Sequence, residues 1–184
     1  MAPRFAYVAH CLLNQNSKVD EFAVCAGAYT PLVDTLRERG YTLRQLPCPE
    51  LAFGGFTRFW NVREQYDTSG FRRHAKRLAD PIVASIEHDL RDSGEVLIVG
   101  VDGSPTMGVA LSPSGTDWGG RPDKSGDYDC ELVPGPGVFV AVLLDALAAR
   151  GLTDIQARGF GTDLPDFDAG RALDALLAGV GSAS

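Results

Sequence analysis

A chain of 184 residues, 45% hydrophobic and 22% charged, carries enough apolar material for one globular domain with its own core and needs no disulfide or metal staples to fold. Its formal net charge of −7 argues against nucleic acid and against an anionic membrane surface as partners. No apolar run is long enough for a membrane helix, and Met1-Ala2-Pro3-Arg4 lacks the apolar core of a signal peptide, so the expected location is the cytoplasm.

Phe5–His10 reads as a first strand that stops at Cys11, and Asn14–Lys18 as polar loop. From about Ala26 to Arg39, Tyr29, Leu32, Val33 and Leu36 share one helical face, and Gly40 ends that helix. Leu43–Leu46 is a second strand, stopped by Pro47-Cys48-Pro49-Glu50. Strand, helix and strand of this kind make a right-handed unit with parallel strands. The aromatic and glycine-rich stretch Leu51–Tyr66 has no clean period and reads as a loop wall or short helix over a pocket. Thr68 or Ser69 caps a helix through Phe71, Leu78, Ile82, Ile86 and Leu90, which Pro81 is expected to kink or divide.

Val96–Val101 is an unbroken aliphatic run, the pattern of a strand covered on both faces. Leu111–Asp129, polar and rich in glycine, proline and serine, reads as a mobile loop or lid. Gly135-Pro136-Gly137 opens an apolar helix over Val138–Ala149, Ile155–Phe160 is a fourth strand, and Asp166 or Asp168 caps a last helix through Leu177. The expected architecture is α/β: a single three-layer domain over 1–184 with a mostly parallel, Rossmann-like sheet and a disordered tail from about 179.

Three loops then leave the carboxyl ends of parallel strands, where ligands of open α/β sheets bind. They are His10–Asn14, Pro47–Glu50 and Gly103–Gly108, and each brings a sulfur: Cys11, Cys48 and Met107. Strands lie about 5 Å apart, so these loops can meet over one small volume. None of the four cysteines forms a CxxC pair, so a metal site has to be assembled from distant segments. The competing reading is that Cys11 and Cys48 are small buried hydrophobes.

Cys-Leu-Leu-Asn-Gln-Asn at 11–16, Cys-Pro-Glu at 48–50 and Gly-Ser-Pro-Thr-Met-Gly at 103–108 resemble the three motifs of the DUF523 family, whose characterised branch is the thiouracil desulfurases. His10–Val19 and the Tyr66–Ile86 region are most similar to its TudS-related desulfidases, and the resemblance runs from about residue 5 to residue 150. It implies a [4Fe–4S] cluster held by one cysteine from each motif, with a fourth iron left open to take sulfur from a small thiolated compound such as a thio-nucleobase. Thiolates suit such clusters, and an open iron is a Lewis acid toward a thiocarbonyl. On this resemblance the metal ligands are Cys11, Cys48 and Met107. Glu50 and Ser104 are the catalytic groups, and Asn14, Arg58 and Thr106 contact substrate.

The chain departs from the family pattern at Thr106-Met107, where the family has Ser-Cys. A thioether is a neutral, weak donor, which leaves three alternatives: Met107 ligates weakly, Cys130 supplies the third sulfur, or the protein is a cluster-free binding or regulatory relative. Cys25, at the start of the first helix, is less suited. Other candidates are an anion site at Gly135-Pro136-Gly137, a Cys11–His10 nucleophile without metal, and a pocket wall of Arg58, Trp60 and Arg63. His74, His88 and the basic run Arg72–Arg77 are expected to be solvated.

Overall fold

Two strands without a polar face set the centre of the molecule. In β1 (Arg4–Ala9) and β3 (Glu95–Gly100), Ala6, Val8, Leu97, Ile98 and Val99 are completely buried, so both strands need cover on each side. The structure is a computed structural model and describes residues 2–19, 22–91, 94–116 and 130–180. β2 (Tyr41–Leu46) flanks β1 at one edge and β6 (Gln156–Gly159) flanks β3 at the other, in the order β2-β1-β3-β6 with every pairing parallel. The four strands read from sequence are therefore the four strands of the sheet.

Helices cover both faces, giving the expected three layers. α2 (Thr30–Glu38) connects β1 to β2 and packs with α7 (Ala169–Leu177). α5 (Ser69–Leu90) carries the chain back past β1 to β3 and packs with α6 (Val138–Ala148), which leads on to β6. The direction of winding reverses between β1 and β3, and at such a reversal the strand ends splay to leave a crevice. Register levels the strand ends: Ala9 pairs with Leu46, and Cys11 and Cys48 each lie two residues further on.

Local rules account for the helix limits. Gly40, at φ +80°, follows Arg39, the C-cap of α2, and takes the left-handed conformation that stops the helix. Thr68 caps α5 by accepting from the Phe71 N–H at 3.2 Å, and Asp168 caps α7 by accepting from the Arg171 N–H at 2.8 Å.

Several segments differ from the sequence reading. α5 runs undivided through Pro81, because Pro81 and Arg77, whose carbonyl loses its helical partner, both lie on the exposed face where water can take over. Cys11 does not enter an open loop: α1 (His10–Leu13) begins as soon as β1 ends, and a 3₁₀ turn over Gln15–Ser17 follows with Gln15 and Ser17 buried. Part of the stretch read as a mobile loop is regular structure. β4 (Leu111–Ser114) pairs antiparallel with β5 (Glu131–Pro134) in a separate two-stranded ribbon, where Pro113 and Pro134 are tolerated because an isolated ribbon leaves outward-facing edges. The remainder of that loop, 117–129, lies outside the described residues, as do 181–184 of the predicted tail. Val180, inside that tail, packs into the core at 8% exposure. Two shorter helices, α3 (Pro49–Gly54) and α4 (Arg63–Tyr66), occupy the glycine-rich aromatic stretch. Among the described residues no helix is long and apolar enough to cross a membrane.

Candidate active site at the carboxyl ends of the sheet

Each of the three strand-end loops is fixed by its own residues. Cys48 is the N-cap of α3: its Sγ accepts from the Leu51 N–H at 3.4 Å, and Pro49 supplies the helical φ of the first residue. Cys11 is carried inward by α1 and is buried. The third loop is organised by Asp102, whose Oδ1 accepts from three successive backbone N–H groups, Val109 and Ala110 at 2.9 Å and Leu111 at 3.2 Å. Ser104 closes the turn inside it, its Oγ accepting from Thr106 N at 3.3 Å and Met107 N at 3.0 Å. Gly108 and Gly137 have no space for a Cβ beside neighbouring carbonyls, so the loop seats tightly against the start of α6.

Cys11, Cys48, Met107, Glu50 and Ser104 line one cavity of about 180 Å³, together with Arg58 and Cys130. Much of the remaining wall is apolar, from Val19, Phe22, Trp60 and Pro105 to Leu132 and Pro165. Glu50 is the polar hub and is 8% exposed. Its Oε1 accepts from Thr106 Oγ1 at 2.6 Å and Ser104 Oγ at 3.3 Å; its Oε2 accepts from Arg58 Nε at 3.4 Å and Tyr66 OH at 3.5 Å. Arg58 is tied further to the carbonyls of Ser17 and Gly55, at 2.8 and 3.0 Å. A carboxylate held by four donors, two of them from the loop after β3 and the others from Arg58 and Tyr66, is fixed in position, which suits it to orient a small polar reactant.

Burial sets the state of the thiols. It pushes Cys11 up to about 12; Cys48 and the carboxylates of Glu50 and Asp163 act in the same direction, and Lys18 opposes them. Cys48 is raised too, by burial and by Glu50, with the N–H groups of α3 opposing. Neither thiol is a ready thiolate at neutral pH unless an electrophile or metal takes its proton's place. All four cysteines are thiols. Among the described residues, no three His, Cys, Asp or Glu side chains are grouped closely enough to hold a metal ion.

Other residues named from the sequence fall elsewhere. Asn14 is exposed and away from the cavity lining, where its side chain accepts from Asn16 N at 3.2 Å and caps the 3₁₀ turn. Thr106 is fully buried behind Glu50 rather than on the wall. His10 does not line the cavity beside Cys11, so the structure does not bring that pair together there. Arg63 bonds Ser112 Oγ at 3.3 Å outside the cavity. The N–H groups that open α6 are taken by carbonyls, Val138 by Pro105 and Phe139 by Thr106, each at 3.0 Å, which makes Gly135-Pro136-Gly137 a helix entry and not an anion site. His74 is not solvated: its Nε2 lies 3.2 Å from the Pro49 carbonyl and its ring packs on Phe53 and Phe71.

Three residues escaped the sequence reading. Asp102 immediately precedes Gly103–Gly108, and nothing local in the sequence shows that its carboxylate organises that loop. Lys18 Nζ is buried on the cavity wall and donates to Asp163 Oδ1 at 2.8 Å, Thr162 Oγ1 at 3.0 Å and the Phe22 carbonyl at 3.1 Å. Asp163 follows the carboxyl end of β6, so the rule that singled out the other three loops points to it as well.

A family model described as "Putative 2-thiouracil desulfurase" matches residues 7–124. The uncharacterized protein MJ0003 of Methanocaldococcus jannaschii is 35% identical over 106 residues, 58% of this chain and 68% of that protein. No solved structure matches the chain significantly.

Proposed function

From a chain that belongs to the putative 2-thiouracil desulfurase family, we propose an enzyme that removes sulfur from a small thiolated molecule held in the strand-end cavity. The observation that supports this reading is that Cys11 and Cys48, from neighbouring strand ends, line one cavity with Glu50 and Ser104. The balanced reaction is hydrolytic: the thiocarbonyl carbon gains the oxygen of water, the carbon–sulfur bond breaks, and both protons of the water leave with sulfur as hydrogen sulfide. No oxidant is needed. In this proposal Glu50 orients the water, with Thr106, Ser104, Arg58 and Tyr66 holding the carboxylate still, while the apolar wall takes the ring. The proposed setting is the cytoplasm, where thiols stay reduced. Neither nucleic acid nor membrane is proposed as a partner, and residues 1–184 are proposed to act as one domain.

An iron–sulfur cluster with an open iron would act as a Lewis acid for the departing sulfur. The donors as placed do not fit a holder of three thiolates. Met107 puts a neutral thioether where a thiolate is required, and the described residues hold no grouped set of three His, Cys, Asp or Glu ligands. That mismatch favours a second reading: a binding or regulatory relative that keeps the pocket and has lost the cluster.

Anaerobic incubation with 2-thiouracil tests the two readings. The enzyme reading expects uracil and sulfide in equal amounts, both lost in Cys11→Ser and Cys48→Ala. Binding without turnover favours the second reading, and neither binding nor turnover rejects both.

A further inference from the structure

With the thiocarbonyl reading of the cavity as its basis, we infer that Asp163 selects substrates that carry an N–H next to the C=S group, accepting that N–H through its second carboxylate oxygen. Asp163 lines the cavity with Cys11, and its side chain is 19% exposed. One oxygen, Oδ1, is committed: it accepts from Lys18 Nζ at 2.8 Å and Thr162 Oγ1 at 3.3 Å. The other, Oδ2, makes no hydrogen bond among the described residues.

Lys18 fixes which oxygen is left. An ammonium has three N–H donors, and here Asp163, Thr162 and the Phe22 carbonyl take all of them. Lys18 therefore does not reach for the substrate itself; it pins one oxygen of Asp163 and leaves the other to a ligand. The cavity's other carboxylate, Glu50, already accepts from protein donors at both oxygens and is the group proposed to orient the water, so the N–H falls to Asp163.

The chemistry of the ligand matches this arrangement. In a thioamide or thiourea the sulfur and the N–H sit on one carbon, and the N–H is a good donor. With sulfur turned toward Cys11 and Cys48, the adjacent N–H leaves the same edge of the ring, so the group that reads it lies beside the cysteines on the lining, as Asp163 does beside Cys11. An acceptor that the bound ligand shuts off from water rejects an analogue lacking the N–H, and a charge-assisted hydrogen bond is worth roughly tenfold to a hundredfold in affinity. If Lys18–Asp163 were only a tie between two loops, ligand discrimination would not depend on it.

Equilibrium dialysis of 2-thiouracil and 1,3-dimethyl-2-thiouracil against the natural chain and Asp163→Asn tests the inference. Asparagine keeps an acceptor for Lys18 and puts an NH₂ donor where Oδ2 was. The natural chain is expected to prefer 2-thiouracil at least tenfold, and Asp163→Asn to bring the ratio close to one. Equal affinities in the natural chain overturn the inference without need of a variant. A preference fully retained in Asp163→Asn also overturns it, while leaving the thiocarbonyl reading in place. No binding of either compound to the natural chain overturns both.

Discussion

Thr106, fully buried, donates its hydroxyl to Glu50 Oε1 across 2.6 Å, so the loop after β3 holds the carboxylate that the first turn of α3 supplies. Thr106→Val keeps the shape and removes the donor. The expected loss is about 1–3 kcal/mol, the cost of taking one charge-assisted hydrogen bond from a buried carboxylate. Thr106→Ser should recover most of it. Urea midpoints of the three proteins check this, and an unchanged midpoint for Thr106→Val would show that the contact contributes little.

Asp102 gives the second prediction. Its carboxylate satisfies the N–H groups of Val109, Ala110 and Leu111, so Asp102→Ala orphans three donors at once. A loss of at least about 3 kcal/mol is expected, with Asp102→Asn milder because one acceptor remains. Gly159→Ala should destabilise by another route, since its Cβ would fall on the Asp102 carboxylate. Denaturant unfolding of all three variants tests the order. A stable Gly159→Ala would place Asp102 differently.

Met107 decides the metal question. Replacing one of three thiolates with a thioether removes a full negative charge from the donor set, and methionine is also longer than cysteine. The natural chain is expected to hold little iron after anaerobic reconstitution, Met107→Cys more, and Met107→Cys with Cys48→Ala little again. Iron and acid-labile sulfide analysis reads this directly. Equal contents near four irons in the natural chain and Met107→Cys would point to Cys130, which lines the same cavity, as the third ligand.

Alkylation and alkaline titration test the thiols. Burial, reinforced by Cys48 and opposed by Lys18, pushes Cys11 up to about 12, whereas an unfolded thiol ionises near ~8.5. Between those values the folded chain holds the proton that the unfolded chain has lost. Stability from this group is therefore complete below the unfolded value and is lost as pH rises toward the folded one. With iodoacetamide at pH 8, partly exposed Cys25 should be modified well before buried Cys11. Peptide mapping by mass spectrometry over time gives the order, and early labelling of Cys11 would contradict its burial.

Much of this was legible in the sequence because it is encoded locally. Short apolar or apolar-flanked stretches at 5–10, 43–46, 96–101 and 155–160 became the four parallel strands, and the strand-end rule found Cys11, Cys48, Glu50, Ser104 and Met107, which line one cavity. What escaped depends on distant partners. β4 and β5 pair across a gap that local composition reads as loop, with Leu111 opposite Pro134. Thr106 looked like a wall residue because nothing nearby in sequence shows that its hydroxyl is spent on Glu50. Lys18 and Asp163, 145 positions apart, become a pair only once the sheet closes.

The cavity also crosses the boundary of the family match. Cys11, Cys48, Glu50, Ser104 and Met107 all lie within residues 7–124, whereas Cys130, Leu132, Asp163, Leu164 and Pro165 lie beyond it. If Cys11 and Cys48 face the sulfur and Asp163 reads the neighbouring N–H, as proposed, the two tasks are written in different parts of the gene. A graft exchanging residues 160–165 alone should change which molecules are admitted while leaving the sulfur donors in place. On that proposal, retargeting the scaffold would begin with this one short loop.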